Sequence, residues 1–137
     1  MQKKSSIFKM LSIFLFCLIG IFSVTSCEAN SKNPDTEIII FYSPTCPHCH
    51  KALEFLSKIA PKYKEITITK HNTNTNTGAN YYFHYTKKFG LTTDAVPFAI
   101  FGGKKYEIGF GSEETTGKQY ILHINEMLKS AQQTINK

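Results

Sequence analysis

Cys46-Pro47-His48-Cys49 places two thiols two residues apart, where the apolar run Ile38-Ile39-Ile40-Phe41-Tyr42 gives way to helical spacing. Thiols at that separation can close a small disulfide ring. If the first stands at a helix N-terminus, unpaired backbone N–H groups and the helix dipole favour its anion. A sulfur that carries negative charge well is a good leaving group, so such a disulfide is labile rather than structural. His48, inside the ring, can add positive charge or a donated hydrogen bond to the same sulfur. Pro47 fixes φ in the first turn and lacks only an N–H that a helix start leaves unpaired. The segment has the chemistry of a redox centre whose one redox group is its own Cys46-Cys49 disulfide.

Two other chemistries share these residues. Cys46, His48, Cys49 and His50 offer a zinc donor set, but five consecutive residues can hardly wrap a tetrahedral ion, and no metal is expected. Cys46-Pro47-His48-Cys49-His50 also satisfies C-x-x-C-H, the attachment motif of c-type haem. In that reading His50 is the proximal ligand and Met127 the distal one. The strands on both sides of the motif count against it, since small c-type cytochromes are mainly helical.

The N-terminus suggests an address. Lys3, Lys4 and Lys9 precede an apolar stretch over residues 10–24, a charged segment and hydrophobic segment of signal-peptide proportions. The stretch ends in Val24-Thr25-Ser26-Cys27, which resembles the lipobox of bacterial lipoproteins. That resemblance implies removal of residues 1–26, together with Cys17, and acylation of Cys27. An uncleaved anchor over residues 7–24 is the alternative, just long enough to span a membrane. Either way the lysines stay cytoplasmic and the rest is exported, facing the periplasm or cell exterior, where disulfides persist. Residues 27–36 are mostly polar and read as a tether, leaving residues 37–137 as one domain. The net charge of +6 falls to +3 once Lys3, Lys4 and Lys9 leave, with no basic stripe, so nucleic acid is not an expected partner.

Periodicity supplies the elements that must hold the two thiols. Residues 37–42 form a β-branched and aromatic run, as in a central strand buried on both faces. Ala52, Phe55, Leu56, Ile59 and Ala60 recur at helical spacing until Pro61. Residues 63–70 read as a second strand, 71–78 as an Asn/Thr-rich loop and 80–89 as a helix closed by Gly90. Residues 98–101 and 104–110 read as strands joined by Gly102-Gly103. Thr116 and Gln119 suggest a capping box for a last helix whose apolar face is Tyr120, Ile124, Met127 and Ala131.

The order is β-α-β-α-β-β-α, with Cys46 at the first strand-to-helix junction. Residues 41–49 and the downstream Val96-Pro97 resemble the active-site segment and cis-proline position of thioredoxin-fold proteins. The resemblance implies an α/β fold with a central mixed sheet and an exchange of disulfides with protein substrates. It makes Cys46 the attacking sulfur and Cys49 the resolving one, with His48 and Pro47 tuning the potential. The backbone of Val96, before Pro97, would pair with an extended substrate, and an unidentified partner would recycle the dithiol. Cys-Pro-His-Cys and the valine before proline are the arrangement of DsbA-type oxidases, although the large helical insertion of that family is missing. Thr45 and Ile40 depart from thioredoxins, which have tryptophan and a buried acid there. The direction therefore leans towards oxidant or isomerase, with an exported reductase as the alternative.

A non-catalytic binding lipoprotein is a further alternative, using the groove of Val96, Phe98 and Gly109-Phe110-Gly111. Tyr81-Tyr82-Phe83-His84-Tyr85 reads as core packing with exposed edges. His71, His84 and His123 read as solvated or singly satisfied, and Glu113-Glu114 as an acidic approach to the last helix. Glu54 and Lys58, one turn apart, read as a surface pair, with a proton relay through Glu54 to Cys49 as a lesser alternative.

Overall fold

The computed structural model describes residues 33–135. The expected signal segment 1–26, Cys17, the expected acylation site Cys27 and the first part of the expected tether lie outside the described residues. The end of the expected tether is not free chain. Asn33 caps a single helical turn, Pro34–Thr36, its side chain accepting from Asp35 N at 3.0 Å, and Thr36 is buried.

The central strand β1 (Glu37–Tyr42) is buried on both faces, as its unbroken apolar run requires. It pairs in parallel with β2 (Thr67–Asn72) and antiparallel with β3 (Phe98–Phe101), which pairs antiparallel with β4 (Lys105–Ile108). The sheet order is β2-β1-β3-β4. Gly102 and Gly103, at φ +55° and +65°, make the tight β3–β4 turn, closed by Lys104 N donating to Phe101 O at 3.1 Å.

Period two divides the sheet's side chains between two cores. Ile38, Ile40, Ala99 and Phe101 face α1 (Pro47–Ile59) and α3 (Lys118–Ile135), meeting Ala52, Phe55, Leu56, Tyr120, Ile124 and Met127. Ile39, Phe41, Phe98 and Ile100 face α2 (Asn76–Lys88), meeting Tyr82, Tyr85 and Phe89. Each large apolar side chain fully buried there contributes about 1.5–3 kcal/mol. A mixed sheet with this order, covered by two helices on one face and one on the other, is a thioredoxin-like α/β fold.

Several element boundaries differ from those expected. The second strand runs over Thr67–Asn72 rather than 63–70, because Ala60–Lys62 continues the preceding helix as a tighter turn and Ile66 N closes another onto Tyr63 O. His71 and Asn72 belong to that strand, and the expected loop is shorter. α2 begins at Asn76, inside the Asn/Thr run, because Thr75 caps it by accepting from Gly78 N at 3.0 Å. The last helix opens with a wide π-type turn, Glu113–Gly117, whose cap is Ser112 with Thr115. The expected Thr116/Gln119 box is absent, since the Thr116 hydroxyl accepts from Gly111 N instead.

Candidate active site

β1 ends at Tyr42 and the chain turns through Ser43-Pro44-Thr45, with Cys46 N donating to Ser43 O at 3.1 Å. That turn sets Cys46 as the N-cap of α1 in extended conformation, and its Sγ accepts from Cys49 N at 3.3 Å. Pro47 occupies the first turn, where no N–H is missed. The Cys46 sulfur therefore sits at the positive end of the helix, partly exposed. Cys49, one turn in, is fully buried, and both thiols are free. Burial, then the hydrogen bond to Cys46, push the Cys49 thiol up to about 12, against a backbone hydrogen bond from Ser43 that acts the other way.

The two histidines turn away from the sulfurs. His48 Nδ1 lies 2.7 Å from Phe110 O. A carbonyl only accepts, so Nδ1 carries the proton and donates. His50 Nε2 likewise donates to Pro44 O at 2.7 Å. Among the described residues neither ring hydrogen-bonds Cys46; of the two contributions expected of His48, charge or a donated hydrogen bond, the hydrogen bond goes instead to Phe110 O and braces α1 against the chain leaving β4.

The facing wall comes from the segment before β3. The Val96-Pro97 peptide bond is cis, Pro97 is buried, and Cys46 Sγ lies 3.7 Å from Val96 O. Gly109 N donates to Pro97 O at 2.7 Å, joining this wall to the end of β4. The Tyr82 hydroxyl donates to Ala95 O at 3.0 Å and approaches Thr93 O at 3.3 Å, so α2 holds the same segment from the other side of the sheet. Among the described residues nothing accepts from the Val96 N–H, which lies beside the partly exposed sulfur.

The haem ligands do not assemble. Met127 is buried against Gly102, whose N–H bonds Glu37 at the start of β1, whereas His50 follows the end of that strand. The His50 nitrogen that would ligate is already donating to Pro44 O. Among the described residues no three His, Cys, Asp or Glu side chains converge into a metal site.

Other expected roles change in three dimensions. Lys58 pairs with Glu113 rather than Glu54, reaching its two carboxylate oxygens at 2.7 and 3.0 Å, because the turn before α3 passes alongside α1. Glu114 is held below the usual carboxylate range by its own backbone N–H and by Ser112, in keeping with an acidic helix start. His71, half-buried, stacks on both Phe41 and Tyr81, with ring centroids 5.3 and 4.8 Å away. His123 Nε2 lies 3.2 Å from Glu107. Tyr82 and Tyr85 pack in the core, while Tyr81 and Phe83 remain exposed.

Three contributors escaped the sequence. The Phe110 carbonyl and the Tyr82 hydroxyl act across long sequence separations and carry no local signal. Tyr120 reads as one more apolar-face residue of α3, yet its hydroxyl is fully buried.

The glutaredoxin family model matches residues 38–85, the stretch that holds both cysteines. Among solved structures the chain is similar to thioredoxin O2 from Arabidopsis thaliana in the oxidized state, with 18% identity over 69% of this chain and 85% of that one, and a TM-score of 0.49. It is also similar to the thioredoxin of Fasciola hepatica, with 18% identity over 85% of this chain and 93% of that one, and a TM-score of 0.47. No curated protein matches the chain.

Proposed function

We propose that this chain is an exported thiol-disulfide oxidoreductase that exchanges disulfides with protein substrates, as a disulfide donor or isomerase. One observation carries the reading: Cys46 Sγ caps α1 at a partly exposed position beside Val96, while Cys49 lies buried behind it.

In the donor direction a substrate thiolate attacks Cys46 Sγ of the oxidised pair. A substrate–Cys46 disulfide forms, the Cys46-Cys49 bond breaks, and Cys49 leaves with the electron pair and takes up a proton. A second substrate thiolate then attacks the substrate's own sulfur, forming the substrate disulfide and expelling Cys46 as thiolate. The substrate loses two electrons and the protein gains them. The helix N-terminus favours the Cys46 anion and so favours its departure. An extended substrate strand would use the unpaired Val96 N–H, which holds the attacking sulfur in line with Cys46. As an isomerase, Cys46 thiolate opens a mispaired disulfide by the same chemistry.

The glutaredoxin match favours a second reading, an exported reductase, in which the steps run backwards and Cys49 expels the reduced substrate. Within either proposal residues 1–26 are removed and acylated Cys27 tethers the domain to a membrane, supported by the order of lysines, apolar run and Val24-Thr25-Ser26-Cys27.

Oxidised full-length protein incubated with a reduced, unfolded disulfide protein tests the exchange. Wild type should regenerate the substrate's disulfides and Cys46→Ser should lose that activity. Cys49→Ser, given a disulfide-containing substrate, should accumulate a reducible covalent adduct. Retained exchange in Cys46→Ser would sink the proposal.

A further inference from the structure

The end of the sheet opposite Cys46 gathers positive charge that no stretch of the sequence collects. β1 runs from Glu37 to Tyr42 towards Cys46, so Glu37 marks the far end. β2 starts beside it, with Thr67 opposite Glu37, and the turns leading into β2 carry exposed Lys62 and Lys64. α2 ends there with Lys87 and Lys88, and Lys88 Nζ donates to Gly103 O at 3.1 Å, in the β3–β4 turn. Lys104 closes that turn and Lys105 follows it. Lys129 lies one helical turn past Glu126, which Lys105 reaches at 3.8 Å.

Four carboxylates share this end: Asp35, Glu37, Glu65 and Glu126. Asp35 pairs with Lys104 at 3.1 Å, Glu126 with Lys105, and Glu37 accepts from the Thr69 hydroxyl. Lys62, Lys64, Lys87 and Lys129 are exposed and have no carboxylate partner among the described residues. Elsewhere in the described domain four lysines stand against five carboxylates, so the net positive charge belongs to this one end.

The chain also enters the fold here. Asn33 caps the turn that leads into β1, and Gly102 N donates to Glu37 O beside it. Cys27 stands six positions before Asn33, a length that spans at most about 20 Å. An anchor at Cys27, or an uncleaved one over residues 7–24, holds this end closer to the membrane than the Cys46 end. Anionic phospholipid attracts lysines that come within a Debye length, about 8 Å at physiological salt.

We propose that this lysine-rich end docks on the anionic phospholipid surface of the membrane that carries the anchor, pointing Cys46 away from the lipid and towards substrates in solution. The inference rests on the anchored reading of the proposed function and not on its redox chemistry.

Full-length protein reconstituted into phosphatidylcholine vesicles, with or without phosphatidylglycerol, tests it by acetylation of lysines with an uncharged reagent, read by mass spectrometry. Lys62, Lys64, Lys87 and Lys129, with Lys104 and Lys105, should react roughly fivefold more slowly on the anionic vesicles. Lys51 and Lys118, in the first turns of α1 and α3, should react equally on both. The difference should vanish at about 1 M salt. Combining Lys62→Gln, Lys64→Gln, Lys87→Gln and Lys129→Gln should abolish the slowing at Lys104 and Lys105. Equal rates on the two vesicles would overturn the inference, as would slowing that reaches Lys51 and Lys118 to the same extent. Slowing on both vesicles that grows with protein density would assign the face to a second copy of the chain instead. Protein that fails to float with phosphatidylcholine vesicles would have no anchor, and the anchored reading would fall with the inference.

Discussion

His48 Nδ1 donates a 2.7 Å hydrogen bond to the carbonyl oxygen of Phe110, across 62 residues of sequence. The bond ties the first turn of α1 to the chain leaving β4, which is itself joined to the Val96-Pro97 wall through Gly109. The exposed sulfur, its helix and the wall it faces are thus one braced unit.

If His48 tunes the pair, removing its ring should weaken the reduced state more than the oxidised one, since reduction is what adds electron density to the Cys46 sulfur. His48→Ala is expected to make the potential more negative by about 30 mV, the equivalent of about 1.4 kcal/mol in a two-electron couple. Redox titration of the purified protein against a glutathione series reads the change. An unmoved potential would show that His48 serves only as a brace.

Cys49 gives a pH dependence with a definite sign. Its thiol titrates at an ordinary 9.0 when unfolded and at about 12 in the native protein. Between those values the unfolded chain has released a proton that the folded chain still holds, so rising pH favours unfolding. The stabilisation is fully present below pH 9 and is lost as pH climbs towards 12. Urea denaturation at neutral pH and at roughly pH 10 should show reduced protein losing about 1 kcal/mol more than oxidised protein. Parallel losses in the two forms would contradict the account.

Acylation at Cys27 predicts a membrane fraction. Cells fed a labelled fatty acid should mark the wild-type protein and leave Cys27→Ser unmarked. A labelled Cys27→Ser protein, or an unlabelled wild type that keeps residues 1–26, would favour the uncleaved anchor.

Legibility followed the range of the interactions. β1, the cysteine pair at its end and the Gly102-Gly103 turn announce themselves through neighbouring residues, and the structure places them where the sequence does. β2 slipped because its extent is set by parallel pairing with Phe41 and Tyr42, which no local pattern in Thr67–Asn72 reveals. The start of α2 was hidden by polar Asn and Thr residues that look like loop, although Thr75 among them is the cap. Lys58 chose Glu113 over Glu54 because a carboxylate from another element came closer than the one a turn away. In the site, the thiols were legible by spacing. The Tyr82 hydroxyl holding Ala95, and the Phe110 carbonyl holding His48, depend on where the sheet brings distant segments.

The reduction potential of the Cys46-Cys49 pair tests the central claim most directly. An exported donor whose helix favours the Cys46 anion should lie towards the oxidising end of the thiol oxidoreductases, nearer about −120 mV than about −270 mV, the values for DsbA and thioredoxin. A value near the thioredoxin figure would make the chain a reductase and contradict the proposed direction. A pair that does not exchange with glutathione at all would contradict the function itself.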